Sequence, residues 1–164
     1  MNEKRSVDDK PIFRDLSEDV TFNFIISHNK HADELSIILK GHLFTEYMLD
    51  MLIRKKFKLP NTILKYKFSQ KVDILYSLDL LPLYLYKNIS NLNKIRNRFA
   101  HNLRYDLSNE KLTFYRSDGK TIDVMNGKPK IKSLRIKIRT FCVGVLSQLN
   151  YHYITNLKFP PIFK

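Results

Sequence analysis

Residues 92–103 of this chain read Leu-Asn-Lys-Ile-Arg-Asn-Arg-Phe-Ala-His-Asn-Leu and decide how the rest of the sequence is interpreted. At about 100° per residue, an α-helix gathers the apolar residues of this stretch on one stripe, made of Leu92, Ile95, Phe99 and Leu103. Asn97 and His101 lie one helical turn apart on the opposite side, with Lys94 and Arg98 beside them. Arg96 lies at the edge of the apolar stripe, where its aliphatic stem can pack while its guanidinium reaches outward. The pattern predicts a helix that buries one side and presents a histidine, an asparagine and cations on the other.

Arg96, Asn97 and His101 are the residue types that RNA cleavage without a metal requires. RNA carries its own nucleophile in the 2′-OH, so an enzyme needs a base near neutrality, a cation for the phosphorane and a donor that fixes the phosphate. Histidine titrates at about pH 6.5 and arginine offers a planar fork that matches phosphate oxygens, while the asparagine amide can orient either residue. We therefore expect His101 to act as general acid and base, Arg96 to stabilise the phosphorane and Asn97 to position these groups. The expected products are a 2′,3′-cyclic phosphate and a 5′-OH.

The pattern Arg-Asn-x-x-Ala-His at residues 96–101 resembles the Arg-x4-6-His signature of HEPN domains, many of which are RNases of toxin–antitoxin, abortive-infection and CRISPR systems. The apolar stretch from Leu35 to Ile53 is similar to the long first core helix of HEPN proteins of the abortive-infection and mannitol-repressor-like groups. The resemblance covers about residues 30 to 105 and implies an endoribonuclease that uses no metal or cofactor. It also implies a homodimer, or paired domains, in which two copies of Arg96 and His101 line one composite cleft across a two-fold axis.

The residues after His101 depart from one branch of this family. In HEPN toxins that a nucleotidyltransferase antitoxin silences, the motif continues as His-x-Tyr and the antitoxin adenylylates that tyrosine. Here the continuation is Asn102-Leu103-Arg104-Tyr105, so Tyr105 is displaced along the chain. The displacement counts against control by adenylylation of this tyrosine. It favours a different antitoxin, such as another protein or a small RNA that the positive charge attracts.

The composition is that of a globular protein with a polyanionic partner. The chain has 164 residues, of which 43% are hydrophobic and 12% aromatic, so it can bury one core. Twenty-nine Lys and Arg against sixteen Asp and Glu leave a net charge of +13, which favours nucleic acid or an acidic membrane surface. The one cysteine, Cys142, cannot form an intramolecular disulfide and is expected to be a small buried hydrophobe. No signal-like or transmembrane run of apolar residues occurs, so we expect a cytoplasmic protein without a membrane partner.

Other kinds of chemistry have weak support in the sequence. The four glycines are scattered, so no Gly-rich loop can cradle a nucleoside triphosphate. His28 and His31 have the spacing of two metal ligands on a helix, but no Cys or carboxylate cluster accompanies them. Histidines on the surface at a helix start are the more frequent explanation, so we expect no metal site.

The chain divides into a charged N-terminal arm, residues 1–16, which is expected to be flexible, and one helical domain, residues 17–164. Helices are predicted from about Ser17, over about 31–57 and 62–80, from about Tyr84 through the motif, and over about 131–157. The helix over 62–80 is expected to bury Leu64, Phe68, Val72, Leu75 and Leu78. Residues 111–115 and 121–125 alternate around Asp118-Gly119 and predict a hairpin that either covers the cleft or decorates the bundle. The predicted fold class is an all-α, HEPN-like bundle of about five helices with a small β-hairpin before the last helix.

Two polar residues lie on the long helix over 31–57, which is apolar nearly all round and is expected to be central in the bundle. His42 and Glu46 are one turn apart there, and burying them without partners would cost roughly 1 to 3 kcal/mol each. Either they form structural pairs between helices, or Glu46 orients Arg96 or His101 from across the bundle.

Further RNA contacts are expected from side chains around the motif and on the last helix, namely Lys94, Arg98, Arg104, Tyr105, Lys132 and Arg135. The last two belong to a basic flank over residues 128–139, which either binds phosphates or is only a solvated helix face. Aromatic residues of the C-terminal tail, among them Tyr153 and Phe159, are expected to pack or to contact a dimer mate rather than to stack on bases.

Two main classes of function remain. The first is an endoribonuclease of the toxin–antitoxin or abortive-infection type that acts in phage defence. The second is a non-catalytic HEPN module, akin to the mannitol-repressor-like proteins, that binds RNA or protein through the same groove. A basic membrane-surface or other structural protein is a third class, because one scaffold hosts several functions.

Overall fold

The structure is a computed structural model that describes residues 33–102, 105–109, 111–126 and 133–159. Its elements in chain order are α1 (Glu34–Lys56), α2 (Pro60–Leu64), α3 (Phe68–Ser77), α4 (Leu83–His101), a 3-10 turn (Leu107–Asn109), β1 (Thr113–Tyr115), β2 (Thr121–Asp123) and α5 (Leu134–Thr155). The predicted all-α bundle of about five helices with a small hairpin before the last one is confirmed, because the described ranges hold five α-helices and one antiparallel hairpin. No helix in these ranges is long and apolar enough to cross a membrane.

Several sequence-based predictions fall outside the described residues. They concern the N-terminal arm, the helix from Ser17, the pair His28 and His31, Leu103 and Arg104 of the motif region, and Lys132 with the start of the basic flank.

The long helix α1 is central, as predicted, since it packs on both α4 and α5. It starts where the Asp33 carboxylate accepts a hydrogen bond from the Ser36 backbone N–H at 2.7 Å. It ends in a basic turn, which suits the negative end of the helix dipole. One side of α1 is less buried than its apolar sequence predicts, because Leu39 is 38% exposed and Leu43 is 63% exposed.

Gly41 allows α1 and α5 to approach closely. A Cβ at this position would lie 2.9 Å from Sγ of Cys142, a distance at which something must shift. Cys142 is fully buried, as predicted, and burial raises the pKa of its thiol to about 12. In the last turn of α5, the Tyr153 hydroxyl donates a hydrogen bond of 2.6 Å to the backbone carbonyl of Met48, so this tail tyrosine is a packing residue.

The prediction of one helix over 62–80 is wrong, because the chain breaks at 65–67 into α2 and α3. The Gln70 side-chain oxygen accepts a hydrogen bond from the Lys67 backbone N–H at 3.0 Å, which caps the new helix start. The expected burial of Leu78 is also wrong, since Leu78 is 53% exposed while Lys71 is only 3% exposed. Lys71 is held inside by two carboxylates of α1, as described below.

Helices α1 and α4 run antiparallel. His42 of α1 contacts Asn93 of α4, whereas Asp50, two turns further along α1, is joined through α3 to Tyr86, nearly two turns earlier in α4. The C-terminal end of α4, which carries the motif, is therefore near the N-terminal half of α1.

The hairpin is fixed to the flank of α4. Phe114 pairs with Ile122, and Gly119 supplies the positive φ (+81°) that the turn requires. Asn88 is fully buried, and its side chain donates a hydrogen bond to the Tyr115 carbonyl at 2.7 Å and accepts one from the Tyr115 N–H at 2.8 Å. These two hydrogen bonds satisfy the backbone groups of Tyr115 that a third strand would otherwise pair with. The hairpin therefore decorates the bundle and lies beside α4, and none of its residues lines the site described next.

Candidate active site

An open groove of about 610 Å³ runs along the solvent side of the C-terminal half of α4. Its lining consists of Ser90, Asn93, Lys94, Asn97, Arg98, His101, Asn102 and Tyr105. All of these except Asn102 and Tyr105 come from one helix, because residues 90, 93, 94, 97, 98 and 101 recur at helical spacing on one side. We call this depression the α4 groove.

His101 and Asn97 lie one turn apart in the α4 groove, as the periodicity predicts. His101 is exposed and Asn97 is half-buried. The opposite side of the helix is in the core, where Leu92 is fully buried and Phe99 is 8% exposed. α4 ends at His101 because Asn102 adopts an extended conformation, and both residues line the groove.

Arg96 reaches the site through Asn97. Its Nη1 donates a hydrogen bond to Asn97 Oδ1 at 3.0 Å. The side chain is half-buried, its charge contributes to lowering the pKa of His42 of α1, and it is not among the residues that line the α4 groove. The structure thus brings Arg96 and Asn97 into direct contact and sets His101 one turn further along the helix.

A buried histidine lies beneath the groove. His42 is 5% exposed, its ring contacts the ring of Phe68 with centres 4.0 Å apart and planes tilted by 34°, and its Nε2 donates to Asn93 Oδ1 at 3.2 Å. Burial lowers the pKa of His42, and the nearby Arg96 guanidinium lowers this pKa further, while Asn93 and Glu46 oppose the shift. His42 is therefore a neutral structural group that supports Asn93 from below.

Glu46 does not orient Arg96 or His101, so that interpretation is wrong. Its carboxylate accepts a hydrogen bond from Lys71 Nζ at 3.0 Å, and Asp50 accepts a second one at 2.8 Å. Desolvation opposes the charge of Lys71, but these two carboxylates together hold the pKa of Lys71 above its usual value. The structural pairing that the sequence left open is the one found, with His42 paired to α4 and Glu46 paired to α3.

Tyr105 returns to the α4 groove despite its displacement along the chain. Its hydroxyl accepts a hydrogen bond from Arg98 Nη1 at 2.9 Å, and its ring packs edge-on against Phe99 at 5.1 Å. Lys94 is exposed on the same side of the helix. Of the predicted RNA contacts, three are therefore together at the groove, namely Lys94, Arg98 and Tyr105.

The described part of the basic flank on α5 does not join the groove. Arg135 Nε lies 4.0 Å from the Glu34 carboxylate, and Lys137 Nζ donates to the Met125 carbonyl, which ties the hairpin to α5. Arg135 does not line the α4 groove, and Lys137 has a structural partner.

Sequence analysis missed Asn93. This residue precedes Asn97 by one turn and His101 by two, so the same helical spacing that identified the pair extends to it. Together with Asn102, it gives the groove three amide side chains that can donate and accept hydrogen bonds.

The arrangement can perform two tasks chemically. The exposed imidazole can exchange a proton with a ligand in the groove, and Lys94, Arg98 and the Arg96–Asn97 pair can bind a phosphate. Among the described residues, no group of three or more His, Cys, Asp or Glu side chains is arranged to hold a metal ion.

Comparison of the chain with protein-family models, with curated proteins and with solved structures gave no match in any of the three.

Proposed function

We propose that this protein is a HEPN-type endoribonuclease that cleaves RNA by attack of a 2′-OH on the adjacent phosphodiester, without a metal. The observation that carries the proposal is the α4 groove itself, where an exposed His101 and Asn97 lie one turn apart beside Lys94 and Arg98. The hydrogen bond from Arg96 to Asn97 adds a guanidinium to this set. These groups supply proton transfer and charge stabilisation, which are the requirements of the reaction.

The roles follow from where each group lies. His101 takes the proton from the 2′-OH or gives one to the 5′-oxygen that leaves, because its ring is exposed in the groove. Arg96, held by Asn97, stabilises the charge that develops on the phosphorane. Lys94 and Arg98 attract and orient the neighbouring phosphates.

A homodimer with a composite cleft suits this chemistry. The reaction needs a base and an acid at the same time, and His101 is the one histidine that lines the α4 groove. A second copy related by a two-fold axis supplies the second imidazole. The exposed apolar side chains of Leu39 and Leu43 flank His42, the α1 residue that supports the groove, and provide apolar surface for such a contact.

The biological setting that we propose is a cytoplasmic toxin of the toxin–antitoxin or abortive-infection type, active in phage defence. The net charge of +13 suits an RNA substrate and also a polyanionic antitoxin such as a small RNA. A protein antitoxin, including a nucleotidyltransferase, fits the position of the Tyr105 hydroxyl in the groove beside Arg98.

The competing function is a non-catalytic HEPN module that binds RNA or protein in the same groove. The observation that favours it is the position of Arg96, which is half-buried and absent from the groove lining. In that case the three amides and the cations of the groove would bind a ligand without cleaving it.

The test compares RNA cleavage by the wild-type chain with cleavage by His101→Ala and Arg96→Ala, in EDTA. We expect both variants to lose activity, to keep their helical circular dichroism and to lose the growth arrest that induced expression causes. Lys87→Ala is the matched control, because Lys87 is an exposed cation of α4 that does not line the groove, and it should remain active. Full activity in either test variant contradicts the proposed roles, and tight RNA binding without cleavage by the wild-type dimer favours the binding module.

A further inference from the structure

A second strongly basic surface lies away from the motif. Residues 51–72 contain seven Lys and Arg and no Asp or Glu. Lys71 is buried between the two carboxylates of α1, but the other six are exposed. We call these six residues the basic ridge, which consists of Arg54, Lys55, Lys56, Lys58, Lys65 and Lys67.

The charges of the basic ridge are not neutralised within the described part of the chain. None of the six residues forms an ion pair with a described carboxylate, in contrast to Lys71 and Arg116. Lys55 and Lys56 lie over the face of Phe159, at 4.6 and 5.1 Å from its ring centre. A cation–π contact of this kind orients the ammonium groups without cancelling their charge.

One end of the basic ridge is connected to the α4 groove through buried side chains. Lys67 directly precedes Phe68, whose ring contacts that of His42 with the ring centres 4.0 Å apart and the planes tilted by 34°. His42 in turn is bonded to Asn93, which lines the groove. The far end of the ridge, at Lys55 in the last turn of α1, is 13 residues beyond His42, or roughly 20 Å along the helix. Because α1 and α4 are antiparallel, this end points away from His101.

An exposed aromatic residue interrupts the lysines near the groove. Tyr66 is 42% exposed between Lys65 and Lys67. The backbone here is held in place, because the Tyr66 N–H donates to the Ile63 carbonyl at 3.0 Å and the Lys67 N–H donates to Gln70. Cations that follow a backbone, together with an aromatic ring on which a base can stack, are the combination that binds single-stranded nucleic acid.

We propose that the basic ridge is a second RNA-binding surface, which holds the single strand where it leaves the α4 groove; the choice of RNA as ligand rests on the proposed function. RNA is favoured over an anionic membrane because the ridge carries the exposed ring of Tyr66 among its lysines, and a base can stack on this ring. The surface gives affinity for long strands without reading their sequence, since its contacts are to phosphates and to one base face.

The experiment measures binding by fluorescence anisotropy in the His101→Ala background, where no cleavage disturbs the equilibrium. Two labelled single-stranded RNAs are used, one of about 16 nucleotides and one of about 4, the range of lengths that one single-strand binding surface covers. The test variant is Lys65→Glu/Lys67→Glu, and the matched control is Lys111→Glu/Lys120→Glu, which reverses two exposed lysines at the hairpin. Anionic phosphatidylserine vesicles serve as the competing ligand, and thermal melts verify folding.

We expect the test variant to bind the long RNA at least tenfold more weakly than the control does, with equal binding of the short RNA. The slope of log K against log salt should fall by about 0.7 for each phosphate contact that is lost. Tyr66→Ala, which leaves the charge intact, should also weaken binding of the long RNA. The proposal is overturned if the test and control variants lose affinity for the long RNA equally. It is also overturned if the test variant loses binding to the vesicles but keeps its affinity for RNA. If the wild-type protein, with His101 present, binds RNA through the ridge but does not cleave it, the nuclease function alone is contradicted.

Discussion

Replacement of Asn97 by Ala is expected to lower kcat by about 10- to 150-fold and to leave the affinity for RNA nearly unchanged. Asn97 Oδ1 accepts a hydrogen bond from the charged Nη1 of Arg96 at 3.0 Å. A hydrogen bond to a charged group contributes roughly 1.5 to 3 kcal/mol, and each 1.4 kcal/mol in the barrier is about a factor of ten in rate. The full factor is expected because Arg96 does not line the groove by itself and reaches it through Asn97. Fold stability should change little, since Asn97 is only half-buried.

The assay is a double-mutant cycle. Initial rates of cleavage of a fluorogenic RNA are measured for the wild type, Asn97→Ala, Arg96→Ala and the double variant. If Asn97 acts through Arg96, the double variant is no slower than Arg96→Ala alone. Asn61→Ala, which replaces an exposed asparagine of α2, is the control and should retain the wild-type rate. A kcat for Asn97→Ala within twofold of wild type, or fully additive losses in the double variant, would refute the positioning role.

Three further outcomes concern stability. Burial lowers the folded-state pKa of two buried histidines, His42 of α1 and His152 of α5, below 6.5, so protonation favours the unfolded chain. In urea denaturation, the free energy of unfolding should be constant above about pH 7.5 and should fall as the pH drops below about 6.5, by up to 1.4 kcal/mol per pH unit for each histidine. A flat pH profile would contradict this. Gly41→Ala should destabilise the fold by about 1 to 3 kcal/mol because its Cβ would meet Cys142, and an unchanged melting temperature would show that α1 and α5 can separate. Tyr153→Phe should cost about 1 kcal/mol by loss of its buried hydrogen bond to α1, and no loss in chemical denaturation would contradict that contact.

The motif helix could be predicted because its information is local. The apolar stripe through Leu92, Ile95 and Phe99 fixes which side is buried, and it thereby fixes that His101 is exposed on the other side. The hairpin was predictable for the same reason, since Asp118-Gly119 is a turn signal within a short alternating segment.

The contacts of Lys71 and Arg96 could not be predicted because they depend on which helices are neighbours. Periodicity placed Leu78 inward in α3 and gave no sign that a lysine would be buried, since that burial requires two carboxylates on α1. Arg96 lies at the edge of the stripe, and a one-helix pattern does not tell whether it turns toward the groove or toward α1. The return of Tyr105 to the groove likewise depends on the chain reversal after Asn102 rather than on spacing.

The central claim is that the 2′-OH of RNA is the nucleophile and that His101 handles its proton. The most direct measurement uses two matched oligonucleotides, one all-RNA and one with a single 2′-deoxy nucleotide at the mapped cut site, incubated with the wild-type protein in EDTA. We expect cleavage at that one phosphodiester to disappear in the deoxy substrate, while the RNA yields ends with a 2′,3′-cyclic phosphate and a 5′-OH. Cleavage of the deoxy substrate at the same position, or activity that returns only with Mg²⁺, would contradict it.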